Sequence, residues 1–415
     1  MCSPFIILER KYMVQLIFTA FFLAASAGLI FLATRFRKFA LVKHLAGESR
    51  LYSWLLALIP VLGLTVYTVR YTVVGVIVIL HLLVIWILAD LAGWLFRKLI
   101  RKKSENNREN EWAQMTDDPF QTSTRSSYVG SSEKSGSMLQ GLYTEGLIAL
   151  LVTAVYLAAG WYYGHHVYET DYTVTIGKNL GADALRIVQI SDAHLGCTFD
   201  GEGFARHMET VQRTNPDVVV ITGDYVDDDS KREDLVRACR ALGDLRTTYG
   251  VYFIFGNHDK GYFGTRDFSE QDLREELRKN GVRILEDQAV MLNRHICIIG
   301  RQDRWVSWRS SMAELMAAID PAVYTIVLDH QPHDFEAQEE AGVDLVLCGH
   351  THGGQMFPVG LLGEWSGANE KTYGMESRGN TTFIVNSGIS DWAIPFKTAA
   401  IAEFGVIDIL SVKRT

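Results

Sequence analysis

Cysteine is scarce and unpatterned in this chain. The five cysteines, Cys2, Cys197, Cys239, Cys297 and Cys348, show no CxxC spacing and no paired framework, so nothing argues for a disulfide scaffold. Cys297 and Cys348 fall in apolar, strand-like runs and read as small core residues. Positive charge is in deficit as well, the 415 residues carrying a net charge of −8. A protein that tracks a long nucleic acid must neutralise many phosphates with a basic groove, so that class of function is excluded. The first apolar stretch lacks a convincing small-residue cleavage site and further apolar stretches follow it. It is therefore read as a retained segment and not as a secretory signal.

What the chain has instead is an uneven distribution of apolar residues. Four long runs lie before residue 165, at Met13–Ala33, Leu51–Val69, Val73–Phe96 and Leu147–Tyr163. Each is about as long as a helix needs to be to cross the ~30 Å hydrocarbon core of a bilayer. The third is the clearest, with Arg97, Lys98, Arg101, Lys102 and Lys103 clustered just past its end. Lys and Arg also mark the loop after the first run (Arg35, Arg37, Lys38, Lys43, Arg50), whereas the hairpin between the second and third has only Arg70. The positive-inside rule then puts the two basic loops in the cytoplasm. Four spans leave both termini, and the whole second half, outside it. The expected organisation is three transmembrane helices in 1–103, a disordered linker rich in Ser, Asn, Glu, Thr and Gly over 104–140, a fourth transmembrane helix in 141–168 and a folded domain in 169–415. Two ionisable residues, His81 and Asp90, fall within the third run. Intramembrane ionisable groups are candidates for function, but hydrogen bonding between helices is the simpler reading.

From about residue 185 the pattern changes to short β-branched runs alternating with helical spacing over Glu202–Thr214, Lys231–Tyr249, Ser269–Asn280, Ser311–Ile319 and Asp334–Ala341. Such alternation predicts a layered α/β domain, in which sites form at the carboxyl ends of the strands. Five short motifs stand at those ends: Asp192-Ala193-His194, Gly223-Asp224-Tyr225-Val226-Asp227, Gly256-Asn257-His258-Asp259, Asp329-His330-Gln331-Pro332 and Gly349-His350-Thr351-His352. Asp192 and His194 are two residues apart, as are His350 and His352, so in extended backbone each pair points one way. A carboxylate such as Asp224 has two oxygens and can bridge two cations. The mixed nitrogen and oxygen set suits Mn, Fe, Zn or Ni better than an all-oxygen calcium site. There are more donors than one ion needs, so two divalent metal ions are the economical reading and hydrolysis the expected chemistry.

Taken together, the five motifs resemble the calcineurin-like metallophosphoesterase superfamily over roughly residues 184–410. The Gly349–Gln355 run and the segment Val385–Ile389 are most similar to its compact, membrane-associated bacterial phosphodiesterase branch. The resemblance implies a four-layer α/β/β/α sandwich. It implies one metal held by Asp192, His194, Asp224 and His352, and a second by Asp224, Asn257, His330 and His350. It further implies that His258 acts as acid or charge stabiliser at the leaving oxygen, that Asp259 orients its ring, and that water activated between the two ions hydrolyses a phosphodiester or pyrophosphate. Asp329, beside His330, adds a charge that would tune the second metal.

The substrate is less legible. The stretch Arg301–Arg309 offers Arg301 and Arg304 for phosphate and Trp305 for stacking or for a lipid interface. Trp365, Trp392 and Phe396 could form a lip over the metals. A lipid-linked phosphodiester or pyrophosphate, extracellular nucleotides and wall polymers all fit, and no protein partner is implied. Three functions are open: a membrane-anchored phosphodiesterase acting outside the cytoplasm, a cytoplasm-facing phospholipid or nucleotide pyrophosphatase, and a non-enzymatic metal-binding sensor or scaffold.

Overall fold

The computed structural model describes residues 4–116, 143–262 and 264–412. It divides into two units, Met1–Tyr156 and Leu157–Thr415. The first is helical because its apolar runs carry too few polar side chains to satisfy a backbone that strays from the helix. It comprises α1 (Pro4–Phe36), α2 (Ala40–Ala46), α3 (Arg50–Arg70), α4 (Thr72–Thr116) and the opening turns of α5 (Thr144–His165). The Ser49 side chain caps α3 by accepting from the Tyr52 N–H. Leu32, Ala57, Ile79, Trp86 and Ala149 form the buried core of this unit. Asp90 meets Arg35 Nε at 2.8 Å and accepts from the Tyr143 hydroxyl at 2.5 Å. His81 Nδ1 bonds the Ile77 carbonyl at 2.8 Å, one turn back on its own helix. Both intramembrane candidates are thus occupied in local structure.

Among the described residues three helices, at Arg50–Arg70, Thr72–Asn107 and Thr144–His165, are long and apolar enough to cross a membrane, against the four expected. The first expected span is described in part, and there the shorter apolar segment Phe22–Phe36 stands. The linker is also corrected. Helix α4 runs on to Thr116, so residues 104–116 are helical, because Lys, Glu, Asn and Arg can extend a helix already nucleated by an apolar run. The rest of the expected linker, to residue 140, lies outside the described residues.

The second unit contains two six-stranded sheets. In chain order its elements are β1 (Val167–Ile176), β2 (Ala184–Ile190), α6 (Gly201–Arg213), β3 (Val218–Ile221), α7 (Arg232–Gly243), β4 (Val251–Phe253), α8 (Glu270–Lys279), β5 (Arg283–Ile284), β6 (Gln288–Met291), β7 (Ile296–Gly300), α9 (Met312–Met316), β8 (Tyr324–Leu328), α10 (Phe335–Glu340), β9 (Leu345–Cys348), α11 (Val359–Trp365), β10 (Gly374–Arg378), β11 (Thr381–Val385) and β12 (Ala402–Ser411). The strand orders are β1-β12-β2-β3-β4-β5 and β10-β11-β9-β8-β7-β6. Strands β2 to β5 run parallel, as do β7, β8, β9 and β11.

The sheets face each other across one apolar layer, where Ile187, Val220 and Ile254 meet Ile298, Ile326, Leu347 and Ile384. Helices α6, α7 and α8 cover the outer face of the first sheet through Phe204, Leu235 and Leu273. Met312 and Phe335, on α9 and α10, cover the second. The result is the expected four-layer α/β/β/α sandwich. Each large side chain so buried contributes ~1.5–3 kcal/mol.

Strand β1 was not anticipated. It begins at Val167, inside the segment read as the fourth span, and pairs in parallel with β12 along all ten of its residues. The chain therefore passes from α5 into the sheet with one residue, His166, between them.

Candidate metal centre

The donors converge because β2, β3 and β4 of one sheet and β8 and β9 of the other end side by side. Sharp turns at those ends aim the side chains. Asp192, His194, Asp224, His350 and His352 all have positive φ, between 37° and 71°. Left-handed backbone is disfavoured for side chains with a Cβ, and such strain persists only where the surroundings over-determine it. Glycine supplies the room. A Cβ on Gly223 (φ 91°) would lie 2.6 Å from Gly256 N and 2.7 Å from His330 Nδ1. One on Gly349 would collide with Ser191 and Asp192.

Three donor groups result among the described residues: Asp192–His194–His352, Asp224–His330–His350, and His194–Asp227–His258, which shares His194 with the first. In the first, His352 Nε2 lies 3.2 Å from His194 Nε2 and 3.6 Å from Asp192 Oδ1. In the second, His330 Nε2 lies 3.1 Å from Asp224 Oδ2, 3.2 Å from Asn257 Oδ1 and 3.3 Å from His350 Nδ1. Asp224 Oδ2 also lies 3.8 Å from His194 Nε2, so one oxygen serves both of these groups. The other, Oδ1, accepts from the His258 backbone N–H at 2.8 Å.

The chemistry of these donors fits a pair of cations. His330 Nδ1 faces the Thr222 carbonyl at 2.8 Å and must donate to it. Its Nε2 is then a lone pair, set among a carboxylate, an amide oxygen and another imidazole. Only a proton or a cation is stable at the centre of such a set. The electrostatics agree. Burial opposes a charge on the His330 ring, yet the Asp224 carboxylate beside it pushes the pKa up to about 10. Burial acts against the Asp224 charge too, but the rings of His330, His194 and His258 hold that carboxyl well below the usual range. Burial keeps His350 and His352 neutral, His350 down to about 3, with neighbouring rings reinforcing it. Neutral imidazoles offer the lone pairs that metals bind.

Three expectations are corrected. Asp259 does not orient His258. Its carboxylate accepts from four backbone N–H groups, those of Asp224, Tyr225, Val226 and Gly256, at 2.7–3.1 Å. Asp259 thus fixes the turn that carries Asp224. The carboxylate on the His258 ring is Asp227, whose Oδ1 meets His258 Nδ1 at 3.0 Å and whose Oδ2 meets His194 Nδ1 at 3.1 Å. Sequence reasoning passed over Asp227, although it stands three residues after Asp224 in the same motif. Its two-sided role depends on a contact between separate loops.

Arg301 is likewise not available to a substrate. It is buried, with Nη1 2.9 Å from Asp329 Oδ2, and Arg309 reaches the same oxygen at 2.5 Å. Gln338 Nε2 donates to it as well, at 2.9 Å. The Asp329 charge, expected to tune a metal, is therefore neutralised by two guanidiniums. Asp329→Ala should leave both with only the more distant Asp334 carboxylate, 3.5 and 4.0 Å away, and cost up to ~3–5 kcal/mol, measured as a lower midpoint of thermal unfolding. An unchanged midpoint would show that the cluster contributes nothing to stability. Arg304 and Trp305 are exposed on the same loop. The Trp392 ring stands 5.2 Å from that of His258, at the rim.

Comparison with known proteins agrees with this geometry. A family model described as calcineurin-like phosphoesterase matches residues 185–354. An uncharacterized metallophosphoesterase of Aquifex aeolicus is 33% identical over 196 residues, covering 46% of this chain and 71% of that protein. A transmembrane protein with metallophosphoesterase domain from Danio rerio is 31% identical over 242 residues, covering 54% of each chain. The uncharacterized metallophosphoesterase YkuE of Bacillus subtilis is 27% identical over 281 residues, 65% of this chain and 96% of that one. The match thus spans about half of the Danio rerio protein and nearly all of the Bacillus subtilis one. A family that uses a dinuclear divalent centre, and a fold that gathers these groups of candidate ligands at its strand ends, lead to one conclusion: this chain belongs to the calcineurin-like metallophosphoesterase family.

Proposed function

We propose that the chain is a membrane-anchored two-metal phosphodiesterase. The observation that carries this reading is the convergence of His330 Nε2, Asn257 Oδ1 and Asp224 Oδ2 beside the Asp192–His194–His352 group. Asp192, His194, Asp224 and His352 would hold one ion, and Asp224, Asn257, His330 and His350 the other. The ions, when bound, supply a lowered pKa for water and neutralise phosphate charge.

The remaining work falls to side chains. Asp227 Oδ1 holds His258 Nδ1–H, which leaves Nε2 to donate to the departing oxygen as general acid. Burial disfavours a charged His258, but Asp227 and the charge of Asp224 outweigh it and raise its pKa, so the ring can carry the proton it must give. Trp392 closes one side of the site. Arg304 is the remaining free guanidinium of the expected substrate set.

The purified full chain should hydrolyse bis(p-nitrophenyl) phosphate, lose that activity with chelator and regain it with Mn²⁺, Fe²⁺, Zn²⁺ or Ni²⁺. Hydrolysis that survives exhaustive chelation would sink the reading.

Membrane anchoring is supported by three helices of sufficient length and apolarity and by the name of the Danio rerio relative. The Lys and Arg clusters after the first and third apolar runs favour a catalytic unit outside the cytoplasm. Protease added to intact cells should then digest residues 166–415. Protection until the cells are permeabilised would reverse the orientation.

A further inference from the structure

We infer that Phe357–Trp365 is a bilayer-docking element and that the phosphoester entering the adjoining site is carried by a lipid; the second clause rests on the hydrolase reading above. Helix α11 has no buried residue. Phe357, Val359, Leu361 and Leu362 are each more than half exposed and Trp365 is 86% exposed. An ordinary surface helix turns its polar side chains outward. In α11 the apolar side chains are exposed instead. Its one charged residue, Glu364, is exposed too but is tied to the body of the domain, accepting from the Thr372 N–H at 2.6 Å, and the Gly360 carbonyl accepts from the Thr372 hydroxyl at 3.0 Å. The polar bonds tie the helix down while the apolar side chains face out. A contiguous exposed apolar patch of this kind marks an interaction surface.

Its position names the occupant. The Phe357 N–H donates to Thr398 Oγ1 at 3.2 Å. Thr398 in turn packs on Gly160, where an added Cβ would lie 2.5 Å from its methyl, and the Lys397 N–H donates to the Gly160 carbonyl at 2.8 Å. Gly160 belongs to α5, one of the helices long enough to span a membrane. Trp161, Tyr162 and Tyr163 follow it, all exposed, in the manner of an aromatic belt at the lipid–water boundary. The root of α11 is therefore two contacts away from the point where α5 would leave the bilayer. The apolar surface within its reach is the bilayer itself, and a tryptophan is suited to headgroup depth.

The same element borders the metal centre. Gly360 packs against Gly354, in the turn His352–Gly354 that opens on a ligand candidate. Gln355 Nε2 donates to the Trp392 and Ile394 carbonyls at 3.1 and 2.6 Å, holding Trp392 beside His258. A phosphoester at headgroup depth would meet the site across this shared wall.

Docking can be read without any catalysis. The full chain, with Cys2→Ser and Cys197→Ser, is reconstituted in phosphatidylcholine–phosphatidylglycerol vesicles and labelled with an environment-sensitive fluorophore at Trp365→Cys or, as control, at Glu233→Cys on α7. Brominated lipid should quench the label at 365 several-fold more than the label at 233. Equal quenching overturns docking. Shielding that persists in detergent and grows with protein concentration assigns the face to a second copy of the chain and overturns it too. In the second arm, the Val359→Ser/Leu361→Ser/Leu362→Ser variant should lose roughly tenfold or more in kcat/KM on vesicle-borne phosphatidyl-p-nitrophenol while keeping bis(p-nitrophenyl) phosphate hydrolysis. Equal effects on the two substrates, or none, overturn lipid delivery. A wild-type chain inactive on both substrates refutes the hydrolase reading and with it the lipid substrate, while the quenching result still decides docking.

Discussion

Replacing Asp224 with alanine should release bound metal and abolish hydrolysis in one step. Its Oδ2 is the oxygen within reach of both the Asp224- and the Asp192-centred donor groups, 3.1 Å from His330 Nε2 and 3.8 Å from His194 Nε2, and Oδ1 accepts from the His258 N–H. Losing an outer partner of a metal ligand typically costs 10–100-fold in affinity or activity. Losing a ligand shared by two ions should cost more than about 100-fold. The check is metal content of the purified variant together with turnover of bis(p-nitrophenyl) phosphate. A variant that keeps full activity would refute the two-metal assignment. The residual protein should stay folded, because the fold is held by three apolar layers away from the strand ends.

His258→Ala should separate binding from turnover. The ring stands outside the Asp192- and Asp224-centred donor groups, and in its own group with His194 and Asp227 its Nδ1 is taken by Asp227, so metal content should remain while kcat falls ~10²–10⁴-fold, the weight of a positioned acid. Asp227→Asn should reproduce part of that loss, since Asp227 holds the ring at Nδ1. Asp259→Ala should behave differently and lower stability. It would leave four buried N–H groups without their acceptor, each costing ~1–3 kcal/mol. If Asp259→Ala folds normally and mimics His258→Ala, then Asp259 is the orienting carboxylate after all, and Asp227 is not.

Much of the site was visible in the linear chain. β-Branched runs ending in Asp-x-His, Gly-Asp, Gly-Asn-His-Asp and Gly-His-x-His announce buried strands with polar exits, and the glycines announce tight turns. Membrane-length helices were visible too, since apolarity over a bilayer's thickness is a local property. What was misread had a non-local cause. Asp227 and Asp259 are both acids within a few residues of a ligand, and only the packing of one loop on another decides which of them meets a ring and which meets backbone amides. Arg301 looked like a phosphate fork until the fold buried it against Asp329. Strand β1 carries no motif of its own and was passed over because its partner, β12, lies more than two hundred residues away.

The sequence alone therefore determined the donor types, their order at the strand ends, the layered α/β class and the presence of long apolar helices, because composition and periodicity are written residue by residue. Only the tertiary structure decided that one oxygen of Asp224 serves both the Asp192- and the Asp224-centred donor groups, that Asp227 holds His258, and that α11 turns its apolar face outward. Each of those depends on which loops meet. Hydrogen-bond partners and solvent exposure are set by packing between segments distant in the chain, and no local pattern encodes them.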